Sequence, residues 1–158
     1  MKKLEFRSNR YDYCKDVTWE DVIKKISNGF EANTIKFLKG GNDYVLYNGM
    51  QMVKEYAPSF VMHSNYFPGS LQKVYDKVKE SEGINKMHIY TSLGGDAPTF
   101  GNHKDTVDVL LVQSVGRMAY EIDNKEYLLN PGDGIYIPKE TYHCPYVIEP
   151  RITLSFSW

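Results

Sequence analysis

The sequence predicts a mainly β domain, a sandwich or closed barrel, that carries an N-terminal α/β extension. Three observations predict it. From Met87 to the end of the chain, short apolar segments alternate with Gly, Pro, Asn and Asp breakers, the punctuation of an antiparallel sandwich or barrel. Helical periodicity is confined to two segments before residue 87. At 158 residues the chain is the size of one ordinary domain, large enough to bury a core and too short for a barrel plus a substantial second domain. Residues 1–86 are therefore expected to supply helices and short strands that complete the barrel, and residues 87–158 its core, within a single structural domain.

The first helix is expected where Thr18 is followed by Asp21, a capping pair, with Trp19, Val22, Ile23 and Ile26 at helical spacing and Gly29 as its end. A second starts after Ser70, where Leu71, Val74, Tyr75 and Val78 recur at i, i+3, i+4 and i+7 and Gly83 follows the charged segment from Lys77 to Glu82. Between them lie three short strands, Thr34 to Leu38, Tyr44 to Tyr47 and Met50 to Val53, separated by the turn sequences Gly40-Gly41-Asn42 and Asn48-Gly49. The second half reads as strands only: Met87 to Ser92, Val107 to Val115, Met118 to Ile122, Tyr127 to Leu129, Ile135 to Ile137 and Ile152 to Trp158. Breakers separate them at Gly94-Gly95-Asp96, Asp123-Asn124, Asn130-Pro131-Gly132-Asp133 and Pro138. Most of the thirteen tyrosines are expected in these strands, packed on half-buried pleated surfaces, with substrate stacking as the alternative for some.

Nineteen basic residues against twenty acidic ones, with no dense Lys/Arg block, argue against a phosphate-tracking surface, so nucleic acid is not an expected partner. The N-terminal MKKLEFRSNR contains no apolar run of signal-peptide or membrane-span length. Cys14 and Cys144 are the only cysteines, so a reducing, cytoplasmic setting without a disulfide is expected.

The chemistry is concentrated in His103-Lys104-Asp105 and in His143, thirty-eight residues after Asp105. Two imidazoles and one carboxylate make a candidate facial triad. Such a set occupies one face of an octahedral ion and leaves the other open for cosubstrate and dioxygen, as non-heme Fe(II) oxygenases require. On a strand, residues two apart project to one side, so His103 and Asp105 can both point inward while Lys104 points out. The alternative is a surface turn at His103 and Asp105, with His143 capping a strand. His63 and His88 have no ligand-spaced partners and read as packed or surface histidines.

These segments resemble the cupin superfamily and, within it, the Jumonji-type 2-oxoglutarate oxygenases. The second cupin motif is matched by Gly132, Pro138 and His143, with Glu140 where a glycine is usual. The run His103, Asp105, Asp108, Gln113, Gly116, Arg117 is similar to the H-x-D-x-x-D/N-x-x-x-x-Q-x-x-G-R/K pattern of Jumonji-type peptide, ribosomal-protein and tRNA hydroxylases, and the matches cover roughly Met87 to Trp158. The resemblance implies a double-stranded β-helix, a cupin or jelly-roll barrel, with Fe(II) held by His103, Asp105 and His143. It also implies 2-oxoglutarate as cosubstrate.

The distal carboxylate of 2-oxoglutarate needs a cationic or hydroxyl partner, because an unpaired buried anion is costly. The family places a Lys or Arg two residues after the glycine; here that residue is Met118. Arg117 is adjacent, but a shift of one residue turns a strand side chain to the other face unless a bulge intervenes. Arg151 is the other candidate, since Arg151, Thr153, Ser155 and Ser157 share one face of the last strand and an Arg-x-Thr pair would anchor a carboxylate. An Arg151 salt bridge to Glu149 or Asp133 is the alternative. Tyr90 and Thr99 are further hydroxyl candidates. Asp108 reads either as a match to the run or as a surface carboxylate. Cys144 should point away from the metal, and Gly132 and Pro138 shape the turn that presents His143.

The expected activity is Fe(II)- and 2-oxoglutarate-dependent hydroxylation or demethylation of a small molecule or a protein or peptide side chain. Two alternatives stay open: a metal-dependent cupin that works without 2-oxoglutarate, as a dioxygenase or isomerase, and a non-catalytic ligand-binding cupin. Pairing of two copies into a homodimer is an expectation by analogy only.

Overall fold

The computed structural model describes residues 3–31, 35–39, 42–44, 59–63, 67–95 and 97–158. In chain order these form β1 (Glu5–Arg7), a 3-10 turn (Asp12–Asp16), α1 (Trp19–Glu31), β2 (Ile35–Lys39), β3 (Asn42–Tyr44), β4 (Ser59–His63), α2 (Gly69–Glu82), β5 (Lys86–Ser92), β6 (Val109–Val115), β7 (Met118–Ile122), β8 (Lys125–Leu129), β9 (Gly134–Ile137), β10 (His143–Val147) and β11 (Arg151–Ser157). An eight-stranded sheet runs β1-β9-β6-β11-β5-β4-β2-β3, and a three-stranded sheet runs β10-β7-β8. Every pairing between these strands is antiparallel. Strands from both halves of the chain share the large sheet: β1 pairs with β9, and β4 with β5.

Two apolar layers explain the arrangement. Val109 and Leu111 of β6 and Ile135 and Ile137 of β9 face the small sheet, where they meet Met118, Tyr120, Ile122, Leu129 and Val147. Their neighbours Leu110, Val112 and Tyr136 turn to the opposite face and pack with Ile152, Leu154 and Phe156 of β11 against Leu71, Val74 and Val78 of α2 and Val22 of α1. Strand β6 is thus covered on both sides, which is why it reads as a continuous apolar run rather than an alternation.

The helices follow their caps. The Asp21 amide donates to Thr18 Oγ1 at 3.2 Å, while Asp21 also accepts from the Ser70 amide at 3.1 Å and so joins the starts of α1 and α2. Helix α2 begins two residues earlier than expected and ends at Gly83, whose φ of +70° is the left-handed conformation a helix C-cap favours. Helix α1 runs past Gly29 to Glu31, because a single glycine weakens a helix without stopping it. Ile23 is 60% exposed, so it is not part of the buried stripe of α1.

The strands expected from 87 onward all form, within two residues at each end. Strands β1, β4 and β10 were not expected as strands, nor was the 3-10 turn. Of the upstream strands, the first is β2, shifted by one residue, and Asn42, expected in a turn, pairs with Lys39. Apart from Tyr44, which closes β3, the strands expected at Tyr44 to Tyr47 and Met50 to Val53 lie outside the described residues, as do Asn48-Gly49 and Gly40-Gly41.

Candidate active site

His103 and Asp105 are not on a regular strand, as the alternation argument had required. His103 instead forms an isolated antiparallel bridge with His143, the first residue of β10. The His103 amide donates to the His143 carbonyl at 3.0 Å and the His143 amide to the His103 carbonyl at 2.8 Å. This reciprocal pair sets the two imidazoles side by side, with ring centroids 4.2 Å apart. A third backbone bond, Glu140 N–H to the Asp105 carbonyl at 2.8 Å, draws in the loop carrying the carboxylate. One potential ligand atom from each of His103, Asp105 and His143 then lies within 4.8 Å of the others. Among them, His143 Nε2 is 3.7 Å from Asp105 Oδ2.

Both imidazoles are oriented in the same way. His103 Nδ1 lies 2.9 Å from the Gly101 carbonyl and His143 Nδ1 3.1 Å from the Thr141 carbonyl, each two residues upstream. A carbonyl only accepts, so each Nδ1 carries the proton and each Nε2 keeps its lone pair. Burial, reinforced by the nearby His103, moves the His143 pKa below the ordinary histidine value, so the neutral, ligating form is favoured. A mixed nitrogen and oxygen donor set with lone pairs converging fits a divalent transition metal.

The cavity beside the triad is walled by Tyr90, Phe100, Leu111, Tyr120 and Pro145, with Arg151 and Ser155 in its lining. Arg151 is 3% exposed. Its Nε donates to Ser92 Oγ at 3.1 Å, its Nη1 to Thr153 Oγ1 at 2.7 Å, and its guanidinium lies 5.8 Å from the centre of the Tyr90 ring. Among the described residues it has no salt bridge. Glu149 is engaged by Arg117 at 2.9 Å, and the Asp133 carboxylate accepts the amides of Asn9 and Asn130. A buried cation held only by neutral groups is costly, and an anion beside it would offset that cost.

The other candidates sort by position. Arg117 is on the surface with its side chain 47% exposed and does not line the cavity. Met118 is fully buried in the layer between the sheets. Thr99 lines the cavity, but its hydroxyl donates to the Pro145 carbonyl at 3.0 Å and accepts the Gly101 amide at 3.1 Å. Thr153 supports Arg151 from behind. Asp108 accepts the Lys139 amide at 2.9 Å at the end of β9, a structural role. His63 and His88 are not lone: they face each other across β4 and β5, with centroids 4.2 Å apart, away from the triad. Cys144 is absent from the lining, as alternation along β10 predicts. Sequence reasoning missed Phe100, Tyr120 and Ser92. Tyr120 was reachable, because it lies two residues after Met118 on the inward face of β7; nothing in the sequence singles out Phe100.

No protein-family model matches the sequence, and no curated protein sequence matches it significantly. Solved structures do. The ribosomal oxygenase YcfD from Escherichia coli in complex with cobalt and 2-oxoglutarate superposes with a TM-score of 0.73 over 99% of this chain, at 18% identity. Its complex with cobalt and succinic acid gives 0.74 at 17% identity. The fold is the cupin double-stranded β-helix. The chain spans about half the length of these structures, 48% in each case, and at such identity the similarity carries the fold alone. Within the cupin barrel, the triad and the Arg151 corner share one cavity.

Proposed function

We propose that this cupin is an Fe(II)- and 2-oxoglutarate-dependent oxygenase that hydroxylates or demethylates a protein or peptide side chain or a small molecule. The observation that carries the reading is the pairing, in one cavity, of the His103, Asp105 and His143 cluster with the buried guanidinium of Arg151, which has no salt bridge among the described residues. The cobalt, 2-oxoglutarate and succinate complexes of YcfD support the same pairing of metal and dicarboxylate in this fold.

His103 and His143 would ligate through Nε2 and Asp105 through its carboxylate, a set that leaves coordination positions open. The ion, when bound, would supply the redox chemistry with dioxygen that couples oxidative decarboxylation of 2-oxoglutarate to oxidation of a C–H bond. The chain's own task is positioning. Carbonyls of Gly101 and Thr141 hold the imidazoles in one tautomer. Arg151 takes the distal carboxylate of the cosubstrate, with Ser92 and Thr153 fixing its planar fork. Tyr90, Phe100 and Tyr120 form the aromatic wall that limits water around the reacting groups. A cytoplasmic protein substrate agrees with the similarity to YcfD, a ribosomal oxygenase.

A cupin that works without 2-oxoglutarate is favoured by one observation, Met118 at the family's usual anchor position. Arg151 answers it by supplying a cation from β11 instead. The test is anaerobic titration of Fe(II)-loaded protein with 2-oxoglutarate, following the visible metal-to-ligand charge-transfer band. The band is expected in the parent, absent in His103→Ala, and to require higher 2-oxoglutarate in Arg151→Met. No band in fully metallated parent protein would reject 2-oxoglutarate as cosubstrate.

A further inference from the structure

Behind Arg151 runs a chain of buried side chains, and on its Gln113 side the hydrogen bonds have a fixed direction. Gln113, Thr153, Ser92 and Ser59 are each 0% exposed. Gln113 Nε2 donates to the carbonyls of Val115 at 2.7 Å and Gly116 at 3.0 Å. Two carbonyl acceptors leave no ambiguity about which end of the amide is nitrogen, so Oε1 must face Thr153. The Thr153 hydroxyl therefore gives its one proton to Gln113, at 2.7 Å, and offers only lone pairs to Arg151 Nη1, also at 2.7 Å. On the other flank Arg151 Nε reaches Ser92 Oγ, itself 2.7 Å from Ser59 Oγ.

We infer that Gln113 is the positioning residue of the anion site: by taking the Thr153 proton it keeps an acceptor against Arg151, so the guanidinium is held in place without being neutralised and its remaining N–H groups serve the ligand. This rests on the proposed dicarboxylate site and deepens it. The amide is the side chain that suits the position. Its donor end needs two hydrogens for the two carbonyls of the β6–β7 connection, its acceptor end must take the Thr153 proton, and it must carry no charge. Glutamate matches the shape and fails on two of these counts: it sets an acceptor against two carbonyls, and it places a negative charge two hydrogen bonds from Arg151, where it competes with the incoming anion. Methionine matches the length and stays uncharged; it loses the two donor bonds, as glutamate does, and also the acceptor, which frees the Thr153 hydroxyl to turn.

The two variants separate positioning from simple support of the turn, because both remove the bonds to Val115 and Gly116 but only one adds charge. The experiment is calorimetric titration of metal-free protein with succinate and of Co(II)-loaded protein with 2-oxoglutarate, on the parent, Gln113→Glu, Gln113→Met and Arg151→Met. Affinity for both dicarboxylates is expected to fall about tenfold or more in Gln113→Glu and several-fold in Gln113→Met, as a charge inside a dry site should act. Co(II) affinity and melting temperature should fall no further in Gln113→Glu than in Gln113→Met. Equal dicarboxylate affinities in the two Gln113 variants would overturn the inference while leaving the anion site standing, provided Arg151→Met binds weakly. No dicarboxylate binding to the parent would overturn both readings. If Gln113→Glu fails to fold, Thr153→Val, which keeps shape and removes the hydroxyl, takes its place: weakened 2-oxoglutarate binding supports the relay, and parental affinity overturns it.

Discussion

Glu140 stands where the cupin pattern has glycine, and the backbone shows why glycine is usual there. Its φ is +62°, a conformation that crowds any Cβ, yet its amide makes the bond to the Asp105 carbonyl that closes the triad. The side chain adds only a surface ion pair with Lys104, of a kind that contributes little. Glu140→Gly should therefore hold or slightly raise the melting temperature, since it relieves about 1 kcal/mol of backbone strain, and leave Co(II) affinity unchanged; a clear fall in either would show that the ion pair, not the backbone, fixes the turn. Cysteine chemistry is settled at the same scale. Cys14 is fully buried in the layer between sheet and helices, and burial pushes its thiol up to about 12, whereas Cys144 is partly exposed. Iodoacetamide at neutral pH should label Cys144 in the native protein and Cys14 only after unfolding, read by peptide mass spectrometry. Rapid native labelling of Cys14 would mean that the helical cover opens readily.

Among the elements, those with redundant signals were legible and those whose identity depends on partners were not. Helix α2 carried an apolar stripe and a terminal Gly83, and β7 a turn at each end, so both could be placed from local sequence. Strand β10 contains Pro145, which argues against a strand; it forms because β10 is an edge of the small sheet, where one row of amides is not needed. Strand β1 is three residues long, each of them charged or exposed, and only its pairing with β9 defines it. Of the site, Arg151 was readable from alternation along β11 and the three candidate ligands from their residue types and spacing, whereas the irregular geometry around His103 was not, since a two-residue bridge has no sequence signature. Gly116 shows how tightly the elements meet. It sits between β6 and β7 at φ +69°, and a Cβ there would be 2.1 Å from the Pro150 carbonyl just before β11. That contact is with backbone, so it can be relieved only by moving a strand. Gly116→Ala should cost about 3 kcal/mol or more, from strain and overpacking together, measured by urea denaturation. A loss below about 1 kcal/mol would show that the turn can shift freely.

At the scale of the molecule, the candidate triad joins parts of the chain that the fold must bring together. His103 and Asp105 come from the segment before β6 and His143 from the start of β10, a strand of the small sheet, so the site exists only when the barrel is closed. The unfolded chain keeps these donors apart and cannot chelate with all three. A metal that binds the native arrangement must therefore stabilise the fold by linkage, by about 2.7 kcal/mol when its free concentration is one hundred times its dissociation constant. In a chain of 158 residues each kcal/mol moves the melting temperature by about 2–4 °C, so Co(II) should raise it by about 5–10 °C. The shift should vanish in Asp105→Ala, which removes the anionic ligand from a loop whose side chain is partly exposed and so leaves the apo stability nearly unchanged. Arg151→Met should keep the Co(II) shift and lose the additional one that 2-oxoglutarate produces, because the guanidinium acts on the dicarboxylate and not on the ion. If Co(II) shifted the parent and Asp105→Ala equally, the ion would be binding elsewhere, and the three residues would be a hydrogen-bonded corner of the barrel rather than a metal centre.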